Sequence, residues 1–402
     1  MIFYLISSFF LAVVSAIPSG RVDVVFPSVE TSRSGVKTVK FRALNEDIEL
    51  KLEPAGDILA KNFALLDENN QIRHLVDVED LKRRIYRDSA NGAALLIDEE
   101  GPVTIQGIVN SKLRIAPHES GRMVKDGKIP HQIVEVISDE KSFFKDGIMP
   151  MDFNEEMDKV ARMSRDDKCI VVEYLVVTES TFTKRFNTKK ALTEYITLMY
   201  TGVQNLFDTF EMGIQVRLLG ITSFTKKSEP PYIEQGAIPG HEEHLNPDVL
   251  LDHMGKYYCK HATGLAKDAD IIMLIVARKL GELQDDGTVD FNTAGIAYQG
   301  KVCSKCLKVG LALDDSRYNE RVDTVAHESA HLLGSPHDGE GPEDGPAGNP
   351  GASDCPETDG YIMGDRRNAA NKFKFSECSK KCVKYVLSLP AASCVYEDCE
   401  FY

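Results

Sequence analysis

The chain has 402 residues, 43% hydrophobic and 27% charged, which is long enough for two cores and excludes disorder as the default. Its net charge of −15 argues against nucleic acid or an anionic membrane surface as a general partner.

The first residues are almost wholly apolar (Ile2, Phe3, Leu5, Ile6, Phe9, Phe10, Leu11), and Val14, Ser15 and Ala16 offer small residues for cleavage before Ile17. Residues 1–16 therefore read as a signal peptide, and secretion is expected. Pro18, Gly20 and Arg21 end the run too early for a membrane anchor, and no later stretch is long and apolar enough to span a bilayer. Residues 17–165 read mostly as strands and turns, with β-branched or alternating residues at 22–26, 41–52, 93–97, 103–109 and 132–137. Arg162 and Arg165 then form an R-x-x-R pattern of the kind read by secretory processing proteases, although spaced arginines also occur in ordinary polar linkers. All nine cysteines follow it, between Cys169 and Cys399, so a boundary is expected near residue 165.

Beyond that boundary strand and helix alternate. Residues 170–177 are β-prone, 190–210 carry helical periodicity, and 214–221 return to strand. A helix near 247–260, a buried strand at 271–276 and another at 294–298 follow.

The densest chemical signal is His327-Glu328-Ser329-Ala330-His331-Leu332-Leu333-Gly334-Ser335-Pro336-His337-Asp338. Residues four apart share one helical face, so His327 and His331 can reach one ion while Glu328 projects beside them toward a bound water. Gly334 lets the chain turn and bring back His337 as a third nitrogen, leaving a fourth tetrahedral position open, as a catalytic zinc requires. A bare His-Glu-x-x-His arises by accident in about one chain in a hundred; adding Gly334 and His337 lowers this to roughly one in tens of thousands.

The run from His327 to His337 matches the H-E-x-x-H-x-x-G-x-x-H pattern of metzincins, and Tyr361-Ile362-Met363-Gly364 resembles their methionine turn. Asp338, where astacins usually carry Glu, points to the reprolysin or adamalysin branch. The resemblance covers residues 169 to about 394. It implies an α/β (α+β) catalytic domain with a mixed, mostly parallel five-stranded sheet, a zinc-binding helix and an edge strand beside the cleft. It also implies Zn2+ on His327, His331 and His337, Glu328 as general base, structural support from Met363, Asp338 and Gly334, and room for a structural Ca2+. Residues 17–165 become a β-rich propeptide, 166–396 the catalytic domain and 397–402 a short tail. Many relatives hold latency through a propeptide cysteine, but none precedes Cys169, so that mechanism does not carry over; His118 and His131 offer substitute ligands, although single histidines in a strand-rich domain more often have no such role. By the same resemblance Cys259 would join Cys394, and Cys355 would reach Cys378 or Cys382. Cys303 and Cys306 suggest a local disulfide or bridges to other loops, and the odd count leaves one thiol over, with Cys399 and Cys169 the candidates.

The compact form resembles secreted metalloproteases of venoms and arthropod saliva. It implies a monomeric, extracellular zinc endopeptidase acting on matrix or clotting proteins, with no nucleic-acid partner. The alternative is a secreted binding protein that uses the same fold without turnover. A non-enzyme has no physical need for Glu328 beside three intact ligands, which favours the enzyme.

Overall fold

The computed structural model describes residues 20–67, 72–75, 77–118, 127–136, 147–148, 168–315, 318–342, 346–365 and 370–399. The signal-peptide and R-x-x-R readings lie outside these residues.

Five strands form the sheet of the second half, in the order Gln215–Ser223, Lys168–Thr178, Ile271–Val276, Val309–Leu313 and Gly295–Ala297. The first four run parallel and the last is antiparallel to Val309–Leu313, as the resemblance implies. The central strands are buried on both faces, which explains their nearly continuous apolar runs. The helix Lys189–Phe207 is capped by Thr188, whose side chain accepts from the Ala191 N–H at 3.1 Å, and it buries Leu192, Ile196, Met199 and Val203. It ends slightly earlier than the sequence periodicity suggests, passing into a 3-10 turn at Asp208–Phe210. The helices Pro247–His261 and Glu377–Ser388 complete the framework. Among the described residues no helix is long and apolar enough to cross a membrane.

The amino-terminal strands form a nine-stranded antiparallel sheet that includes Val22–Val25, Ala93–Asp98, Thr104–Ile108 and His131–Glu135. The stretch 41–52, read from sequence as one strand, is instead parts of two: Lys37–Ala43 and Glu46–Pro54 pair across Leu44 and Asn45, both at positive φ. Leucine is a poor advertisement for such a turn, so the hairpin was hidden.

This half is not packed as a separate body. Leu59–Leu66 leaves its own sheet and pairs in parallel with Gln215–Ser223, and Gly147–Ile148 pairs in parallel with Gly295–Ala297 at the other edge. Leu59, Phe63, Leu96 and Ile108 share one apolar core with Val176, Met199 and Leu274. Arg84 pairs with Glu194 at 2.8 Å, and Arg114 donates to the Tyr318 carbonyl at 2.7 Å, just ahead of the histidine-bearing helix. Burial drops the Arg114 guanidinium to about 10, partly offset by the Glu320 and Asp323 charges.

His131 cannot serve as a latency ligand in this arrangement. It is buried in the amino-terminal sheet, where Nε2 accepts from the Ile105 N–H at 2.8 Å and Nδ1 faces the Ile129 carbonyl at 2.9 Å.

The cysteine pairing departs from the resemblance. Cys259 joins Cys306 rather than Cys394, and Cys303 takes Cys394, so Cys303 and Cys306 bridge outward rather than to each other. The loop carrying Cys306 lies on the helix that bears Cys259: a Cβ placed on Gly255 would sit 3.1 Å from the Cys306 carbonyl oxygen. Cys355 joins Cys378. Cys169 and Cys399, expected to be left over, are bonded to each other because Lys168–Thr178 pairs antiparallel with Tyr396–Asp398. The free thiol is the buried Cys382.

Candidate active site

His327, Glu328 and His331 lie on the helix Val322–Leu332, which Val325, Ala326, Ala330 and Leu332 anchor in the core. Helical periodicity sets the two imidazoles side by side, with Nε2 atoms 3.0 Å apart. Leu333 closes the helix and Gly334 turns the chain at φ +105. A Cβ on Gly334 would meet Val386 Cγ2 at 2.1 Å, so both backbone conformation and space demand glycine there. The Gly334 carbonyl accepts from Asn349 Nδ2 at 2.8 Å and Gln299 Nε2 at 3.3 Å, which fixes the turn.

The turn returns His337 to the helix, and one ligand atom from each of His327, His331 and His337 lies within 4.8 Å of the others. Each Nδ1 has an outward acceptor: the Ile362 carbonyl at 2.8 Å for His327, the Ser335 carbonyl at 2.8 Å for His331 and Glu340 Oε1 at 3.0 Å for His337. A proton on Nδ1 leaves Nε2 as the lone-pair atom. Burial, then the two neighbouring rings, hold His331 well below the usual histidine range, so its imidazole is neutral. A zinc ion ~2.0–2.1 Å from each nitrogen would set them ~3.3–3.4 Å apart, so the arrangement fits that ion with a slight opening of the His327–His331 pair.

Met363 and Asp338 adjoin this cluster through backbone contacts. The Ile362 carbonyl that meets His327 belongs to the turn 361–364, closed by the Gly364 N–H donating to the Tyr361 carbonyl at 2.9 Å; the adjacent Met363 is buried. The Asp338 N–H donates to the Met363 carbonyl at 2.8 Å, and Asp338 Oδ1 accepts from Ser376 Oγ at 2.6 Å. Asp338 thus ties the loop after His337 both to the methionine turn and to the start of the helix Glu377–Ser388. Burial raises its carboxyl to about 6, against the pull of the Ser376 hydrogen bond.

Glu328 is fully buried beneath the edge strand Gly295–Ala297. A Cβ on Gly295 would fall 2.4 Å from Glu328 Oε1, so the carboxylate occupies space that only a glycine leaves. Sequence reading missed both Gly295 and Glu340. Glu340 had a usable signal, a carboxylate three residues beyond the third histidine with a glycine between; Gly295 had none, because its partner is remote in the chain.

The model of metallo-peptidase family M12, reprolysin type, matches residues 170–376. Antarease TserMP_A, a venom metalloproteinase of Tityus serrulatus, is 63% identical over 400 residues, 99% of each chain. The antarease-like venom metalloproteinase TtrivMP_A of Tityus trivittatus is 61% identical over 400 residues, again 99% of each chain. Venom metalloproteinase BumaMPs1 of Olivierus martensii is 41% identical over 394 residues, 97% of this chain and 96% of that one. With a histidine cluster fitted to zinc and this likeness along nearly its whole length, the chain belongs to the reprolysin-type branch of metallo-peptidase family M12 and is a zinc metalloendopeptidase.

Proposed function

We propose that the protein is secreted and cuts extracellular proteins as a monomer, with His327, His331 and His337 as the zinc ligands and Glu328 as the general base. The observation that carries this reading is the convergence of three imidazoles within 4.8 Å, each with Nδ1 engaged outward, beside a buried glutamate at the cleft edge. Zinc, when bound, supplies a Lewis acid that lowers the pKa of a water toward neutrality and polarises the scissile carbonyl. Glu328 lies outside the ligand set, so its carboxylate is available to take the water's proton and pass it to the leaving amine, a contribution of about a hundredfold or more. Gly295–Ala297 offers main-chain groups to an extended peptide, gripping it independently of side-chain sequence. Matrix or clotting proteins are the targets in this reading, by analogy with secreted metalloproteases of venoms and saliva as a class.

Residues 1–16 act in this reading as the signal peptide, 17–165 as the propeptide, 166–396 as the catalytic domain and 397–402 as a short end segment, of which Glu397, Asp398 and Cys399 are tied back to Lys168–Thr178 by strand pairing and the Cys169–Cys399 disulfide. Two pairings support the propeptide role. Gly147–Ile148 lies on the edge strand where we place the substrate, and Leu59–Leu66 anchors the same region to the opposite edge of the catalytic sheet. Latency would then come from occupation of main-chain groups rather than from a cysteine on the metal.

The test is to incubate the full chain and the processed, zinc-loaded chain with an extracellular protein extract containing fibrinogen and gelatin, with and without a zinc chelator, and to read new amino termini by mass spectrometry. Chelator-sensitive cuts are expected only from the processed chain stripped of its amino-terminal fragment, because strand pairing and a shared core hold that fragment in place after the cut. Absence of cuts from zinc-loaded, propeptide-free protein would transfer the assignment to a binding protein on the same fold.

A further inference from the structure

The three imidazoles are not held alike. His327 and His331 turn Nδ1 to neutral main-chain carbonyls, whereas His337 faces a carboxylate. Glu340 commits both oxygens to this one residue: Oε1 lies 3.0 Å from His337 Nδ1, and Oε2 accepts the His337 backbone N–H at 2.9 Å. The loop between them is itself pinned. Glu340 N–H donates to the His337 carbonyl at 3.1 Å, Gly339 N–H donates to the Ala352 carbonyl at 3.0 Å, and Ala352 N–H returns to the Glu340 carbonyl at 2.8 Å. Gly339 sits at φ +93, the conformation that folds the carboxylate back on the ring. His337 is also the ring that needs such a hold, since its side chain is 21% exposed while His327 and His331 are buried.

We propose that Glu340 is a positioning residue for zinc: it holds His337 with the proton on Nδ1 and Nε2 toward the metal, and it lends anionic character to the most exposed ligand. This rests on His337 being a ligand, as proposed above. A carboxylate behind a ligating imidazole fixes ring orientation and raises ligand basicity, and removing such a partner typically weakens metal binding by about 10–100-fold. The Gly334 turn delivers His337 to the cluster, and Glu340 then keeps the ring from rotating away.

The experiment measures zinc affinity of the full chain by competition with a chromophoric chelator, for the unaltered protein and for Glu340→Ala, Glu340→Gln and His337→Ala. Glu340→Ala is expected to weaken zinc by about 10–100-fold. Glu340→Gln keeps one acceptor, so it should recover part of that loss. Nitrogen NMR of the His337 ring, which a merely structural role would leave unchanged, should report a single Nδ1–H tautomer in the unaltered apo protein and a tautomer mixture in Glu340→Ala. Zinc affinity in Glu340→Ala equal to that of the unaltered protein would overturn the proposal. Unchanged affinity in His337→Ala would instead remove the ligand assignment beneath it. If circular dichroism shows Glu340→Ala unfolded, Glu340→Gln decides alone: a loss of several-fold or more supports the role, and no loss refutes it.

Discussion

Replacing Gly295 by alanine should disable the enzyme without touching a metal ligand. The added Cβ would lie 2.4 Å from Glu328 Oε1 and 2.7 Å from both Cδ and Cγ, with no other atom nearer. Relief to ordinary contact requires a displacement of about 1 Å, and the question is which side yields. The strand is held by its pairing of Gly295 with Ala312 and by the Leu313 N–H donating to the Ala294 carbonyl at 2.7 Å. The carboxylate is the end of a side chain with rotatable bonds, so Glu328 gives way first. Misplacing a catalytic group by about 1 Å costs on the order of a hundredfold in rate, or ~2.7 kcal/mol of transition-state stabilisation. The overpacking itself should cost ~1–3 kcal/mol of stability, which a thermal melt separates from the catalytic effect. The assay compares kcat/KM on a peptide cut by the processed chain, with zinc content measured in the same samples. It repeats the comparison in a Glu328→Ala background, where Gly295→Ala should add little because its target is gone. Full turnover in Gly295→Ala with normal zinc content would refute the reasoning, as would equal losses in both backgrounds.

Glu328→Ala should retain zinc and lose turnover by about a hundredfold or more, whereas His331→Ala should lose the metal; zinc analysis beside peptide kinetics separates the two. Burial holds His131 below the ordinary histidine value of 6.5, although the Ile129 carbonyl pulls the other way, so the unfolded chain takes up the proton first as pH falls. The stability this neutral ring contributes is therefore fully present above pH 6.5 and is lost as pH falls through the lower folded value. Faster hydrogen exchange at the Ile105 amide, which donates to this ring, should report it, and exchange that does not rise in acid relative to intrinsic rates would contradict it. Cys382 donates to the Gly351 carbonyl at 3.3 Å, and burial raises its thiol to about 11, so it should resist alkylation at pH 8 in the native protein and react once unfolded, as peptide mass mapping would show.

What could be read from the chain was what lies close together along it. His327, Glu328, His331, Gly334 and His337 declare themselves because helical periodicity and one turn suffice to assemble them. The strand Ile271–Val276 was equally plain, since a strand buried on both faces needs an unbroken apolar run. Val309–Leu313 escaped notice because glycine and alanine at Gly310 and Ala312 dilute its β signal, although packing requires the small residues: a Cβ on Gly310 would sit 3.2 Å from Met273 Cε. Cys355–Cys378 is one of the two pairings expected for Cys355, but the expected Cys259–Cys394 bond failed for a different reason. Cys259, Cys303, Cys306 and Cys394 are interchangeable as thiols, and only the seating of the Cys303–Cys306 loop on the helix Pro247–His261 selects their partners.

The same limit hid the crossing of Leu59–Leu66 into the catalytic sheet. Its partner strand Gln215–Ser223 is a sheet edge, and an edge leaves no mark in either sequence to say which remote strand will cover it. Yet the consequence for processing is physical. Leu59, Phe63, Ala64 and Leu65 are buried in the core they share with Val176 and Ile221, so cutting the chain near residue 165 does not by itself release the amino-terminal region. Release requires exposing that apolar surface and breaking a parallel strand pairing. The cut fragment should therefore co-elute with the catalytic domain in size-exclusion chromatography under native conditions and separate from it in urea. Immediate separation without denaturant would mean that the shared core contributes too little to hold the two pieces together.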